Sequence, residues 1–192
     1  MIFTNGDSFT YGDELDKPHS EAWPYILAEK LNTKVANFGE NNSDNERILQ
    51  STVDFFGTPD ISMYKCAIVQ WSTYMRFDTI PQDIVLNDNA NTKEYLLDKY
   101  FVQVRIMQDF FDLRNIPYLM FNAFDNEKVI PNSISKFKDI IDTKYFIGWQ
   151  DESVVNWVYG MPHKPKGHPG EEAHKRIAEI IYENIRRKLR IS

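Results

Sequence analysis

The chain has 192 residues, 42% hydrophobic and 26% charged, with a formal net charge of −6. That length suits a single domain, 1–192, with a sizeable core, and the composition is globular rather than disordered. There is no basic excess to neutralise phosphates, no apolar run of membrane-spanning length and no signal-peptide start, so neither nucleic acid nor membrane is expected as a partner and the protein reads as cytoplasmic at synthesis.

In chain order, Met1–Thr4 reads as a first strand, closed by Asn5 and Gly6. Glu21–Leu31 then carries Trp23, Ile26, Leu27 and Leu31 at helical spacing, and Lys34–Phe38 is a second strand. Asp44–Phe56 repeats the helical pattern with Ile48, Leu49, Val53 and Phe56. Ala67–Trp71 is a third strand; it and Lys34–Phe38 read as apolar on both faces, as strands of a covered parallel sheet do. The longest helix, Lys93–Leu113, places Leu97, Tyr100, Phe101, Val104, Met107 and Phe111 on one side. Asn115-Ile116-Pro117 ends it and opens the strand Pro117–Asn122. From Asp125 to Pro165 the pattern is less regular, with a short helix at Ser135–Ile141 and an aromatic stretch, 145-YFIGWQDESVVNWVYG-160. The final helix starts near Pro169, has Glu171 and Glu172 in its first turn, and buries Ile177, Ile180, Ile181 and Ile185. The basic cluster 186-RRKLR-190 lies at its end, where cations suit the helix dipole. No repeat or linker interrupts the series, and alternating strands and helices predict an α/β sandwich around a mainly parallel sheet. The single cysteine, Cys66, sits in the apolar run 66-CAIVQW-71 and reads as a buried structural thiol.

Sites in such sheets form at the carboxyl ends of strands, where Ser8, Asn41, Asn42, Ser72, Thr73 and Asn122 fall. Ser8 follows Gly6 and Asp7 at a strand-to-helix turn. Its hydroxyl has two readings: an N-cap for the next helix, or a nucleophile that needs a base within hydrogen-bond reach. Of the four histidines, His168 is brought by a loop to the start of the last helix, where Pro169 fixes the chain direction. His163 is its main competitor and reads as a solvent-facing neighbour, while His174 reads as structural.

The stretch 6-GDSFTYG-12 near one end and 168-HPGEEAHKRIAE-179 near the other together resemble the SGNH (GDSL-like) hydrolase family. The resemblance spans nearly the whole chain. It implies a flavodoxin-like three-layer α/β/α sandwich with a mainly parallel five-stranded sheet, and cofactor-free hydrolysis of acetyl or short acyl esters on a small molecule or carbohydrate. By it Ser8 is the nucleophile, with its N–H an oxyanion donor, and His168 is the base. The family's second block corresponds to 37-NFGENNSDNERI-48, where Gly39, Asn41 and Asn42 offer backbone N–H groups. The third block reads 68-IVQWSTYMRFD-78 and lacks the family's asparagine; Ser72 or Thr73 could donate a hydroxyl, and Arg76 could bind an acidic substrate group or brace the loop. Where the family has an aspartate three residues before the histidine, this chain has Pro165, which implies a Ser–His dyad unless a carboxylate arrives from elsewhere, with Asp151, Glu152 and Glu171 the first candidates.

Three further features have bland readings beside the chemical ones. His163, His168 and His174 lack the spacing of a helical zinc pair, so no metal is expected. Trp149, Trp157 and Tyr159 read as core aromatics or as lining for an acyl or sugar pocket. Asp44, Asn45 and Arg47 read as the start of a helix. Two rival functions remain: a degenerate binding module for carbohydrate or protein on the same fold, and a flavodoxin-like phosphate or flavin binder.

Overall fold

The computed structural model of the protein describes residues 1–57, 62–76, 90–126, 140–149 and 152–190, with backbone only at 90–92. Five strands, β1 (Ile2–Asn5), β2 (Val35–Asn37), β3 (Cys66–Trp71), β4 (Tyr118–Asn122) and β5 (Phe146–Ile147), pair in the order β2-β1-β3-β4-β5, every pair parallel. The helices are α1 (Ser8–Tyr11), α2 (Pro18–Glu21), α3 (Trp23–Lys30), α4 (Asn45–Phe56), α5 (Ala90–Leu113), α6 (Val154–Trp157) and α7 (Glu171–Asn184), the last running on as a π turn over Ile185–Leu189.

Strand alternation divides the core. Ile2, Cys66, Ile68, Leu119 and Phe121 face α3 and α7, whereas Phe3, Ala67, Val69, Trp71, Tyr118 and Met120 face α4 and α5. The result is the three-layer α/β/α sandwich with a parallel five-stranded sheet. Its order reverses between β1 and β3, and the crevice at the carboxyl ends of those two strands is the place such sheets offer to ligands.

Two expectations change. Lys34–Phe38 shortens to β2, an edge strand whose three residues are only half-buried, because one side pairs with β1 and the other has no strand beside it. The fifth strand lies inside the aromatic stretch, where two residues are too few to display a period. Of the helix at Ser135–Ile141, residues 135–139 lie outside the described residues. Among the described residues, no helix is long and apolar enough to cross a membrane.

Candidate active site

β1 ends at Asn5, whose buried amide donates to Ile48 O (3.1 Å), Ser51 Oγ (2.9 Å) and Thr52 Oγ1 (2.8 Å), tying the strand end to α4. The chain then turns into α1, and the cap of that helix is Asp7: its backbone is extended and its Oδ1 accepts the Phe9 N–H at 3.0 Å. Ser8 is therefore the first helical residue, not the cap. Its residue is 6% exposed, and among the described residues neither its hydroxyl nor its N–H is engaged. Its carbonyl, by contrast, accepts from both Gly12 N (2.9 Å) and Asp13 N (3.0 Å), which locks the turn.

Asp7 does more than cap. Its fully buried carboxylate accepts from Gln70 Nε2 (2.5 Å) and Ser72 Oγ (2.7 Å), and Arg76 Nη1 lies 3.3 Å away. Buried charge is tolerated when hydrogen-bonded and paired in this way. This network corrects one expectation, a substrate-facing Ser72 hydroxyl, and for Arg76 supplies the brace that was one of its two readings. The Ser72 hydroxyl proton is committed to Asp7 rather than aimed at substrate, and Arg76, also bonded to Ser43 O at 3.4 Å, braces the third-block loop. Among the described residues the Thr73 hydroxyl donates to nothing, and its Oγ1 accepts from Met75 N at 3.3 Å. Asn45, read from sequence as a helix start, is a buried bridge: its Oδ1 accepts Ser72 N (2.8 Å) and its amide donates to Ser72 O (3.3 Å) and Thr73 O (3.5 Å). Asn126 donates to the same Ser72 carbonyl at 2.9 Å.

The second block crosses the start of α1. Gly39 packs so closely that a Cβ there would lie 2.7 Å from Tyr11 N and from Thr10 Cγ2. Its own N–H donates to Asn37 Oδ1 at 3.0 Å, which removes Gly39 from the candidate oxyanion donors. The next residue, Glu40, donates its N–H to Gly6 O at 3.1 Å, so the loop is pinned beside the nucleophile turn. Asn41 and Asn42 follow, exposed, with N–H groups that donate to nothing among the described residues; Asn42 takes the left-handed φ of 63°.

His168 arrives from the other end of the chain. A tight turn, with Gly167 N donating to Lys164 O (2.9 Å) and Lys164 N to His168 O (2.8 Å), presents it in front of α7 and leaves Pro165 exposed. The imidazole stands edge-on to Phe9, the neighbour of Ser8, with ring centroids 5.9 Å apart. No hydrogen bond joins it to Ser8. Its Nδ1 meets Glu14 Oε2 at 2.7 Å, and its Nε2 faces Asp13 Oδ2 at 3.6 Å, beyond hydrogen-bond length. Burial acts to raise the Glu14 carboxyl, but hydrogen bonds from His168 and the Lys166 N–H, with the attraction of His168, outweigh it and hold the group below the ordinary carboxylate value. Of the other carboxylates considered, Glu152 accepts from Trp157 Nε1 (3.1 Å), Glu171 lies 3.7 Å from Lys164 Nζ, and Asp151 falls outside the described residues.

The remaining candidates separate cleanly. His163 is exposed, and His174 is fully buried, its Nδ1 accepting Trp23 N at 3.1 Å. Trp149 packs on Phe101 and Phe146, Trp157 packs on Phe121, and Tyr159 is 88% exposed. Burial pushes the Cys66 thiol up to about 12, so it stays protonated and inert. Among the described residues, no group of three or more His, Cys, Asp or Glu side chains is arranged to hold a metal.

The psychrotrophic esterase EstA from Pseudoalteromonas sp., in a form inhibited by monoethylphosphonate, superposes with a TM-score of 0.65 at 12% identity, over 98% of each chain. A member of the lipolytic protein G-D-S-L family from Veillonella parvula DSM 2008 gives 0.54 at 13% identity, over 95% of this chain and 96% of that one. A carbohydrate esterase family 2 enzyme with a carbohydrate-binding domain, from Corynascus thermopiles (Myceliophthora fergusii), gives 0.62 at 14% identity, over 98% of this chain and 66% of that one. No protein-family model and no curated protein matches the chain. The protein thus has the fold of the SGNH (GDSL-type) esterases.

Proposed function

We propose that the protein is a serine esterase acting on acetyl or short acyl esters of a small molecule or carbohydrate. The observation that carries this reading is the division of labour in the first turn: Asp7 caps α1, and Ser8 holds an unengaged hydroxyl and N–H at the switch point of the sheet. His168 is the histidine whose ring packs against that turn, on Phe9. The esterase fold supports ester hydrolysis as the reaction class.

In this mechanism the Ser8 hydroxyl attacks the ester carbonyl and passes its proton to His168 Nε2. The Ser8–His168 bond forms when substrate binds, a tightening common between free and substrate-bound sites. The tetrahedral oxyanion accepts from Ser8 N–H and from Asn41 or Asn42 N–H, with the Thr73 hydroxyl as the side-chain donor. The imidazolium gives its proton to the leaving alcohol. Water, deprotonated by the same nitrogen, then releases the acid and restores Ser8. Arg76 holds Asp7 and the third-block loop, and its 26% exposed side chain can also meet an acidic substrate group.

A fluorophosphonate probe tests the reading, since only an activated serine reacts. Stoichiometric labelling of the wild type, lost in both Ser8→Ala and His168→Ala, is the expected result. Equal labelling of wild type and Ser8→Ala would overturn it. The second reading, a non-catalytic carbohydrate-binding module, is favoured by one observation, the commitment of Ser72 to Asp7, which leaves a thinner oxyanion hole. Sugar binding without any labelling would select it.

A further inference from the structure

We infer that Glu14 is the carboxylate that orients His168, so that nucleophile and orienting carboxylate come from one N-terminal turn and only the base comes from the far end of the chain. The inference rests on the esterase reading above. Three independent features carry it. The first is contact: Glu14 Oε2 lies 2.7 Å from His168 Nδ1, while Nε2 makes no hydrogen bond among the described residues, Asp13 Oδ2 being 3.6 Å away.

The second is a docking function. Both Glu14 oxygens also accept the Lys166 N–H, at 3.1 and 3.2 Å, so one carboxylate fixes the backbone of the 164–168 turn and the ring that the turn presents. The third is backbone strain. Gly12 ends α1 in the left-handed region at φ 87°, and Glu14 itself sits at φ 64°. A β-carbon-bearing residue without Asn or Asp chemistry rarely adopts that conformation; it persists where the surroundings over-determine it, and such positions gather at functional sites. A Glu14 held in this conformation is the one whose carboxylate meets His168 and the Lys166 N–H. Pro165, on the exposed outside of the same turn, has no acid to offer.

The proton accounting is simple. A carboxylate on Nδ1 selects the tautomer with its proton there and leaves the Nε2 lone pair free to accept the Ser8 proton. After that transfer both ring nitrogens carry protons, and Glu14 stays ionised beside the imidazolium. No second proton moves. Glu14 is a positioning residue that acts through His168.

The test compares wild type, Glu14→Gln, Glu14→Asp, His168→Ala and His163→Ala on a short aryl ester, with the imidazole N–H signal of His168 followed by NMR in parallel. Glutamine keeps the size of the side chain and its acceptor oxygen but removes the charge. We expect Glu14→Gln to remain folded and to lose ~10²-fold or more in kcat with little change in KM. Glu14→Asp should recover part of that loss, and His163→Ala should match wild type. A downfield Nδ1–H signal should be present in wild type and absent in Glu14→Gln. Should Glu14→Gln keep wild-type kcat while His168→Ala is inactive, the inference is overturned and the esterase reading stands. Should wild type fail to hydrolyse any ester while the Nδ1–H signal shows the same dependence on Glu14, the esterase reading fails and the Glu14–His168 clamp is upheld.

Discussion

Asp7 and Ser8 are adjacent, yet removing their side chains should have opposite consequences. Ser8→Ala removes a hydroxyl that bonds to nothing among the described residues, so stability should change by less than ~0.5 kcal/mol while hydrolysis disappears. Asp7→Ala strips a cap and leaves Arg76, Ser72 and Gln70 facing an empty buried position. The expected loss is about 3 kcal/mol, at the lower end for a broken buried pair because Arg76 is part-exposed and water can reach it. Urea denaturation of the two variants separates the roles. A Ser8→Ala protein as destabilised as Asp7→Ala would return the serine to a structural role.

Between elements, the loop from β2 to α4 has to lie flat on α1, and Gly39 is what permits it. Gly39→Ala places a Cβ 2.7 Å from Tyr11 N and 2.8 Å from Thr10 C, both backbone atoms that cannot rotate aside. The loop must lift, at roughly 1–3 kcal/mol, and carry the Asn41 and Asn42 N–H groups off target. A fall in kcat approaching ~10²-fold is expected from such a displacement, with a smaller change in KM. Full kcat in Gly39→Ala would place the donors elsewhere. This contact also marks where the sequence stops being readable. The strands and the long helices were legible because Ile48, Phe56, Leu97 and Phe101 recur at the period of a buried face. Ser8 and His168 were legible because each sits in a local motif at a turn. Glu14 was not: it reaches the histidine across 154 residues, and nothing in its own neighbourhood distinguishes it from the acidic residues beside it. Asn45 does start α4 as read, but its bridge to Ser72, and the bond of Ser72 to Asp7, were invisible for the same reason, since they lie between segments. The left-handed φ of Glu14 was equally invisible, because glutamate carries no local signal for that conformation.

Across the whole molecule, the clamps between the two ends of the chain include one through Glu14 and His168 and another through His174. α3 begins at Trp23 without a side-chain cap of its own. Its first N–H is accepted instead by His174 Nδ1, from a buried position on α7. That bond needs the neutral ring with its proton on Nε2, and burial first, then the charge of nearby His168, lowers the His174 pKa from its ordinary value of 6.5 to about 4. The unfolded chain therefore takes up a proton near pH 6.5 that the folded chain refuses until about pH 4. Stability is greatest above 6.5 and falls through that window as the medium is acidified, by roughly 3 kcal/mol from this residue when the shift is converted at 1.36 kcal/mol per unit. Glu14, whose carboxyl is held low in the folded state, acts in the same direction but further down, its contribution being present above the ordinary value of 4.5 and lost as pH falls through the folded value. The two are separable by mutation. In His174→Gln the denaturation midpoint should become nearly flat between pH 6.5 and 5, while the loss below 4.5 remains. In Glu14→Gln the upper slope should remain and the lower one soften. Calorimetric melting temperatures across that range decide it: an undiminished slope between pH 6.5 and 5 in His174→Gln would mean that another group carries the acid sensitivity, and that the cap of α3 by α7 is no pH-dependent clamp.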